Sequence, residues 1–214
     1  MSVLGLWGFS VIAEDVVHHE VLTRLDLTVF GWLRAHSTPS SYGTWSVISA
    51  VGSGYALTVL ALGVALLLLF QRRWVAIAGW GVAFAGAGFL NGALKLLFHR
   101  ERPPDAAEFL THLSWSFPSG HAMGSLVGYG MVAYLLVLSA RRTSVRIGIV
   151  LGAVLLILAI GVSRLYLGVH YMSDVMGGYA AGTLWLSACI SGLEVVRRGK
   201  ARIPGAPKPA ALPV

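Results

Sequence analysis

Long uncharged apolar runs alternate with short polar seams along most of the chain. Ser46 to Phe70 carries no charge, and Trp74 to Leu94 is apolar up to Lys95; Ala122 to Leu138, Ile147 to Val162 and Val175 to Leu193 follow. A helix rises about 1.5 Å per residue, so about 20 apolar residues cross the hydrocarbon core of a bilayer. The pattern therefore predicts an all-α, polytopic transmembrane bundle with five spanning helices. Most connections are short, which sets neighbouring helices antiparallel. The connection from His99 to Pro118 is longer and carries Pro103, Pro104 and Pro118, which interrupt helix. Gly79, Gly86, Gly88 and Gly92 are expected at close helix contacts, because small residues let backbones approach in lipid.

The first 45 residues follow a different pattern. Val3 to Ala13 is apolar but short for a span, and Glu14, Asp15, His18, His19 and Glu20 come directly after it. No basic residue precedes the run, so it does not have the form of a signal peptide. Val16 to Leu33 has apolar positions at helical spacing with Arg24, Asp26 and Arg34 among them, which predicts an amphipathic helix at the interface. A sixth span is the alternative, if the polar stretch is buried in the bundle. The expected organisation is an N-terminal helical region over 1–45, a transmembrane domain over 46–196, and a basic, Pro-rich, disordered cytoplasmic tail over 197–214.

Composition supports the membrane assignment. The 214 residues are 56% hydrophobic and 12% charged, with mean hydropathy +0.74, outside the balance of a soluble domain. A net charge of +7 raises the question of nucleic acid, but the basic residues are placed as a topology signal. Ten of the sixteen Lys and Arg fall at Arg72 and Arg73, at Arg141, Arg142 and Arg146, and at Arg197, Arg198, Lys200, Arg202 and Lys208. Segments of this kind beside spans lie in the cytoplasm by the positive-inside rule, so no nucleic-acid partner is expected. Lone Cys189 excludes a disulfide framework and a cysteine metal site.

With alternating helices, the remaining charged residues gather at the opposite face. Lys95 ends the second apolar run, Arg102 follows in the loop, and Pro118 to His121 opens the third run. Arg164 ends the fourth, and His170 and Asp174 open the fifth. Three cations, two histidines and one carboxylate suit a bound oxyanion better than a cation. His170 and Asp174 are four apart, so a helix start can put both on one face and let the carboxylate fix one imidazole nitrogen. Ser119 and Gly120, just after Pro118, sit where free backbone N–H groups favour an anion. A second histidine beside the bound group, His121, can donate a proton to a leaving oxygen.

Three segments carry a family resemblance: KLLFHRERP (Lys95 to Pro103), PSGH (Pro118 to His121) and SRLYLGVHYMSD (Ser163 to Asp174). Lys, six residues, Arg-Pro; then Pro-Ser-Gly-His; then Ser-Arg, five residues, His, three residues, Asp: this order resembles the signature of the type 2 phosphatidic acid phosphatase superfamily, with every fixed position filled. The resemblance runs from about Trp45 to Gly192, and the family's membrane members usually have six helices. It implies a metal-independent phosphohydrolase that needs no cofactor and works through a phosphohistidine on a membrane lipid phosphate. His170 would be the nucleophile, Asp174 its orienting partner, and His121 the acid and then the base. Lys95, Arg102, Arg164, Ser119 and Gly120 would hold the phosphoryl oxygens. Undecaprenyl diphosphate, phosphatidate and phosphatidylglycerol phosphate are all open as substrates, the first favoured by analogy of architecture. The site is expected on the outer face of a cell membrane with the C-terminus cytoplasmic.

Other residues take structural readings. His18, His19, His36, His99 and His112 are expected to be snorkelling or hydrogen-bonded side chains, and Trp45, Trp74 and Trp115 interface anchors. Asp105 and Glu108 belong to a solvated loop face that could gate substrate entry. Two other functions fit parts of the pattern. An anion transporter would spread polar residues along a path through the membrane, whereas here they gather at one face. A metallohydrolase would use His121, His170 and Asp174 as ligands, against the charge of three nearby cations.

Overall fold

The computed structural model describes residues 2–18, 21–104, 106 and 114–201. His19, Asp105, Glu108, His112 and the tail beyond residue 201 lie outside the described residues. The described chain forms eight helices: α1 (Ser2–His18), α2 (Val21–His36), α3 (Pro39–Val51), α4 (Gly54–Phe70), α5 (Trp74–Phe98), α6 (Gly120–Ser139), α7 (Thr143–Tyr166) and α8 (Met172–Ala201). Five helical segments are long and apolar enough to cross a membrane: Ser41–Phe70, Trp74–Phe98, Gly120–Ser139, Thr143–Tyr166 and Met172–Gly199.

The first of these differs from the single helix expected over Ser46 to Phe70. Gly52 and Ser53 divide it: Gly52 closes α3 through its N–H to the carbonyls of Ser49 and Ala50, and the Ser53 side chain caps α4 by accepting from Ala56 N. The break brings α3 against α7 so closely that a Cβ on Gly52 would overlap the Ile160 side chain. Only a residue without Cβ allows that approach.

Helix α6 is the axis of the bundle and packs against α4, α5, α7 and α8. Its buried face carries Ala122, Met123, Ser125, Val127, Gly128, Met131 and Ala133. Lipid supplies no hydrophobic drive between helices, so small residues, close packing and interhelical hydrogen bonds hold the bundle. Trp80 Nε1 donates to Ala61 O at 2.9 Å and Trp185 Nε1 to Ala83 O at 3.0 Å, joining α5 to α4 and α8 to α5. Of the four glycines expected at helix contacts, Gly86 receives the Trp185 ring and Gly79 receives Leu193, while Gly88 and Gly92 face no atom within 4 Å.

Helix α1 continues through the polar residues that follow Ala13 and lies along α8. Ile12, Ala13 and Val16 are buried with Phe117. Asp15 is buried too, and its carboxylate accepts from Leu22 N and Thr23 N, both at 3.0 Å, so it caps the start of α2. Amphipathic α2 then crosses the ends of α7 and α8. The N-terminal region is thus packed on the bundle at the end where Lys95, Arg164 and Asp174 lie.

Candidate active site

Each site residue lies at a helix end or in the connection just beyond one, which is how segments far apart in sequence converge. Lys95 is in the last turn of α5, and that helix stops at His99, whose left-handed conformation (φ 45°, ψ 34°) returns its N–H to Lys95 O at 3.2 Å. The chain then extends through Arg100 and Arg102, and Ser116 N donates to Arg100 O at 2.8 Å to close the neck of the loop. Ser119 is the N-cap of α6, accepting from Ala122 N through its side chain. Arg164 ends α7, Gly168 makes the turn with φ +66°, and Asp174 lies in the first turn of α8.

His170 and Asp174 form the core of the site. The imidazole Nδ1 is 3.2 Å from Asp174 Oδ2, which also accepts from Tyr171 N at 2.9 Å and from Ser116 Oγ. A carboxylate accepting at that position makes Nδ1 the protonated nitrogen and leaves the lone pair on Nε2. Nε2 lies 3.2 Å from Arg102 Nη1, which donates to Val169 O at 2.8 Å as well. Arg102 is oriented further by Ser114 O, which accepts from Nε at 2.6 Å. Lys95 Nζ donates to Trp115 O, and His121 is within electrostatic reach of Arg164, His170, Arg102 and Lys95.

Arg164 is buried, with Nη1 donating to Ser49 Oγ at 2.5 Å on α3, while its buried Nε has no partner among the described residues. A buried cationic N–H without an acceptor is costly, and an oxyanion at that position would satisfy it. The amides of Gly120 and His121 open α6 and have no acceptor within the helix, so they present donors beside the same cations. The Ser119 N–H is already committed to Asp174 O at 2.9 Å, which ties the start of α6 to α8. All eight residues singled out from the sequence therefore lie at one end of the bundle.

A model of the PAP2 superfamily matches residues 74–197, the stretch that carries all three motifs. The chain belongs to the PAP2 superfamily. Phosphatidylglycerophosphatase B of Bacillus subtilis (strain 168) is 34% identical to this PAP2 chain over 187 residues, which is 85% of this chain and 89% of the relative. The crystal structure of a transmembrane PAP2-type phosphatidylglycerolphosphate phosphatase from Bacillus subtilis superposes with a TM-score of 0.82 at 27% identity, covering 92% of this chain and 98% of that one. Aquifex aeolicus LpxE shares the fold with a TM-score of 0.57 at 24% identity, over 78% of this chain and 95% of its own. The protein is a multi-span membrane phosphatase of this superfamily.

Electrostatics distinguish the groups of this PAP2 site that lie outside the spanning segments. Burial pushes His170 down to about 4; Asp174 opposes that shift, and Arg102 and Arg164 add to it. The imidazole is therefore neutral across the physiological range. Burial also lowers Arg102, with Asp174 acting in the opposite sense. Among the described residues, no three His, Cys, Asp or Glu side chains cluster as a metal-ligand set.

Among the described residues, the polar side chains at the site that were not singled out from the sequence include four that hold its key groups. Ser49 steadies Arg164, Ser116 donates to Asp174, and Asn91 Nδ2 donates to Pro118 O at 3.3 Å, steadying the start of the PSGH segment. The fourth is Arg100, whose Nη1 donates to Asp174 Oδ1 at 2.6 Å. Serine and asparagine in apolar runs are common enough to carry little signal alone, but Arg100 lies inside KLLFHRERP, at a position the motif leaves variable. His99 keeps the structural reading, packing edge-to-face on Trp115 at 4.8 Å.

Proposed function

We propose that the protein hydrolyses a lipid phosphate through a phosphohistidine on His170, at the outer face of a cell membrane. The observation that carries this reading is the His170 imidazole, anchored through Nδ1 by Asp174 and presenting Nε2 beside Arg102. The Nε2 lone pair attacks phosphorus while Lys95, Arg102, the free Arg164 Nε and the Gly120 amide take the equatorial oxygens. The bond from phosphorus to the lipid oxygen breaks, and His121 gives that oxygen a proton. His121 then takes a proton from water, the resulting hydroxide attacks phosphorus, and the P–N bond returns its electrons to Nε2 as inorganic phosphate leaves. Phosphoryl transfer depends mainly on positioning and charge stabilisation, which fixed cations can provide.

Orientation follows from charge. Arg72 and Arg73, Arg141, Arg142 and Arg146, and Arg197 and Arg198 lie at the helix ends opposite the site, so the positive-inside rule puts the site outside and the C-terminus in the cytoplasm. A site at the lipid boundary lets an amphiphilic substrate keep its tail in the bilayer while its headgroup enters the cationic centre. The name shared by the Bacillus subtilis sequence and structure matches moves phosphatidylglycerol phosphate ahead of undecaprenyl diphosphate and phosphatidate as the substrate. Phosphate release by purified protein from each of the three lipids, alongside His170→Ala and His121→Ala, tests the reading. We expect the fastest turnover on phosphatidylglycerol phosphate and loss of turnover in both variants; unchanged hydrolysis in either variant refutes the mechanism.

A further inference from the structure

Asp26 lies on α2, outside the segment that matches the family, yet it is 1% exposed. Both of its oxygens are engaged. Oδ1 accepts from Ser173 N at 2.9 Å, and Oδ2 accepts from Ser173 Oγ at 2.5 Å and from Arg100 Nη2 at 2.7 Å. The other arm of the same guanidinium, Nη1, donates to Asp174 Oδ1 at 2.6 Å and to Ser173 Oγ at 2.6 Å. Arg100 therefore spans two buried carboxylates from different helices, with its guanidinium 4.7 Å from the centre of the Tyr171 ring. Burial opposes its charge, but Asp174 and Asp26 outweigh burial and raise Arg100 above its ordinary value.

A tether between α2 and the rest of the bundle needs one cation and one carboxylate. This cluster continues to a second carboxylate, the one that orients His170. The two bonds from Nη1, to Asp174 and Ser173, would by themselves let the guanidinium pivot about that nitrogen; the bond from Nη2 to Asp26 fixes the plane. The plane in turn sets Asp174, whose Oδ1 is held by Arg100 while Oδ2 faces His170 Nδ1.

We propose that Arg100, fixed by Asp26, is a positioning residue for Asp174, so that the α1–α2 hairpin is part of the catalytic unit. The inference rests on the reading that Asp174 orients His170 as nucleophile. It gives the N-terminal region a definite role in the chemistry, since α2 supplies the carboxylate that immobilises the guanidinium, and capping of α2 by Asp15 sets where that carboxylate sits.

The test compares Arg100→Ala, Asp26→Asn, the double variant and His170→Ala in the purified full chain, on whichever of the three lipids is hydrolysed fastest. Misplacing a catalytic group by about 1 Å costs about 100-fold, so kcat of Arg100→Ala should fall by about that factor with KM nearly unchanged. A cleft of about 820 Å³ lined by Asp26, Arg100 and Tyr171 gives small solutes access, so added guanidinium ion should restore part of the lost kcat. Asp26→Asn should lower kcat alone, and the double variant should be no slower than Arg100→Ala, because Asp26 acts through Arg100. Should Arg100→Ala aggregate, the isosteric Asp26→Asn decides by the same split between kcat and KM. Wild-type kcat in a folded Arg100→Ala, a rise in KM at constant kcat, or no response to guanidinium would each overturn the proposal. An active His170→Ala defeats the underlying mechanism instead, whereas an inactive His170→Ala beside a fully active Arg100→Ala defeats the positioning role alone.

Discussion

Replacing Asp174 by Asn keeps the shape of the side chain and changes one oxygen into an N–H donor, which the surrounding hydrogen bonds cannot accommodate. Oδ1 accepts from Arg100 Nη1 at 2.6 Å; Oδ2 accepts from Tyr171 N at 2.9 Å, from Ser116 Oγ, and from His170 Nδ1 at 3.2 Å. If the amide nitrogen takes the Oδ2 position, it faces three donors and His170 must move its proton to Nε2, which removes the attacking lone pair. If it takes the Oδ1 position, it meets the guanidinium and pushes the side chain off its support. The first arrangement has the logic of a wrong-tautomer variant, with a loss of about 10⁴ in kcat; the second is a displacement, with a loss of about 10². The range corresponds to about 3–5 kcal/mol in the barrier. Phosphate release under saturating lipid measures kcat, and an acid-labile ³²P adduct on the protein after rapid quenching measures phosphohistidine formation. Both should fall together. An Asp174→Asn protein that is correctly folded and forms the adduct at the wild-type rate would refute the orienting role.

Burial, packing and charge each yield a further expected outcome. Because His170 is pushed down to about 4, its imidazole should stay neutral through pH 5, and NMR of histidine-labelled protein, assigned against His170→Ala, should show a midpoint near 4. The sign for stability is that the unfolded chain takes this proton first, so stability is lost as pH falls from about 6.5 towards 4. Gly178→Ala places a Cβ 2.7 Å from Ser119 O, where α8 meets the start of α6, and should cost about 1–3 kcal/mol in thermal-shift measurements; Gly88→Ala, inside α5 with no atom within 4 Å, should cost nothing and raise stability by up to about 1 kcal/mol. Excess EDTA should leave phosphate release intact, since fixed cations take the role of magnesium in this mechanism, and activity abolished by EDTA and restored by a divalent cation would reject it.

Hydropathy made the five spans legible because the cost of charge in hydrocarbon leaves long uncharged runs. The helix ends were less legible for the same reason. Lys95, Arg164 and Asp174 belong to helical turns that extend past the apolar runs, where water and buried partners replace lipid. The break at Gly52 was missed because hydropathy sums over 18 or more residues and does not register one cap. Its cue was local: Ser53 before a new apolar run marks a helix start. The break matters to the site, since it sets α3 against α7 and brings Ser49 to Arg164.

The partners of Asp174 show where motif spacing stops being informative. His170 to Asp174 is a local pair, fixed by one helical turn, and spacing finds it. Arg100 and Asp26 are 74 residues apart, and no periodicity within either segment links them. A cue nevertheless existed on α2. Leu22, Asp26 and Phe30 are spaced by four, so they share a face; Leu22 packs on the buried cluster with Phe117, and Phe30 meets the Tyr171 ring at 6.2 Å. An amphipathic helix has its acids on the wet face, and this one has an acid in register with its apolar stripe. A carboxylate buried in that way needs a cation or several donors from another segment. Arg100, two residues before Arg102 in the same loop, is the residue whose charge goes to two aspartates.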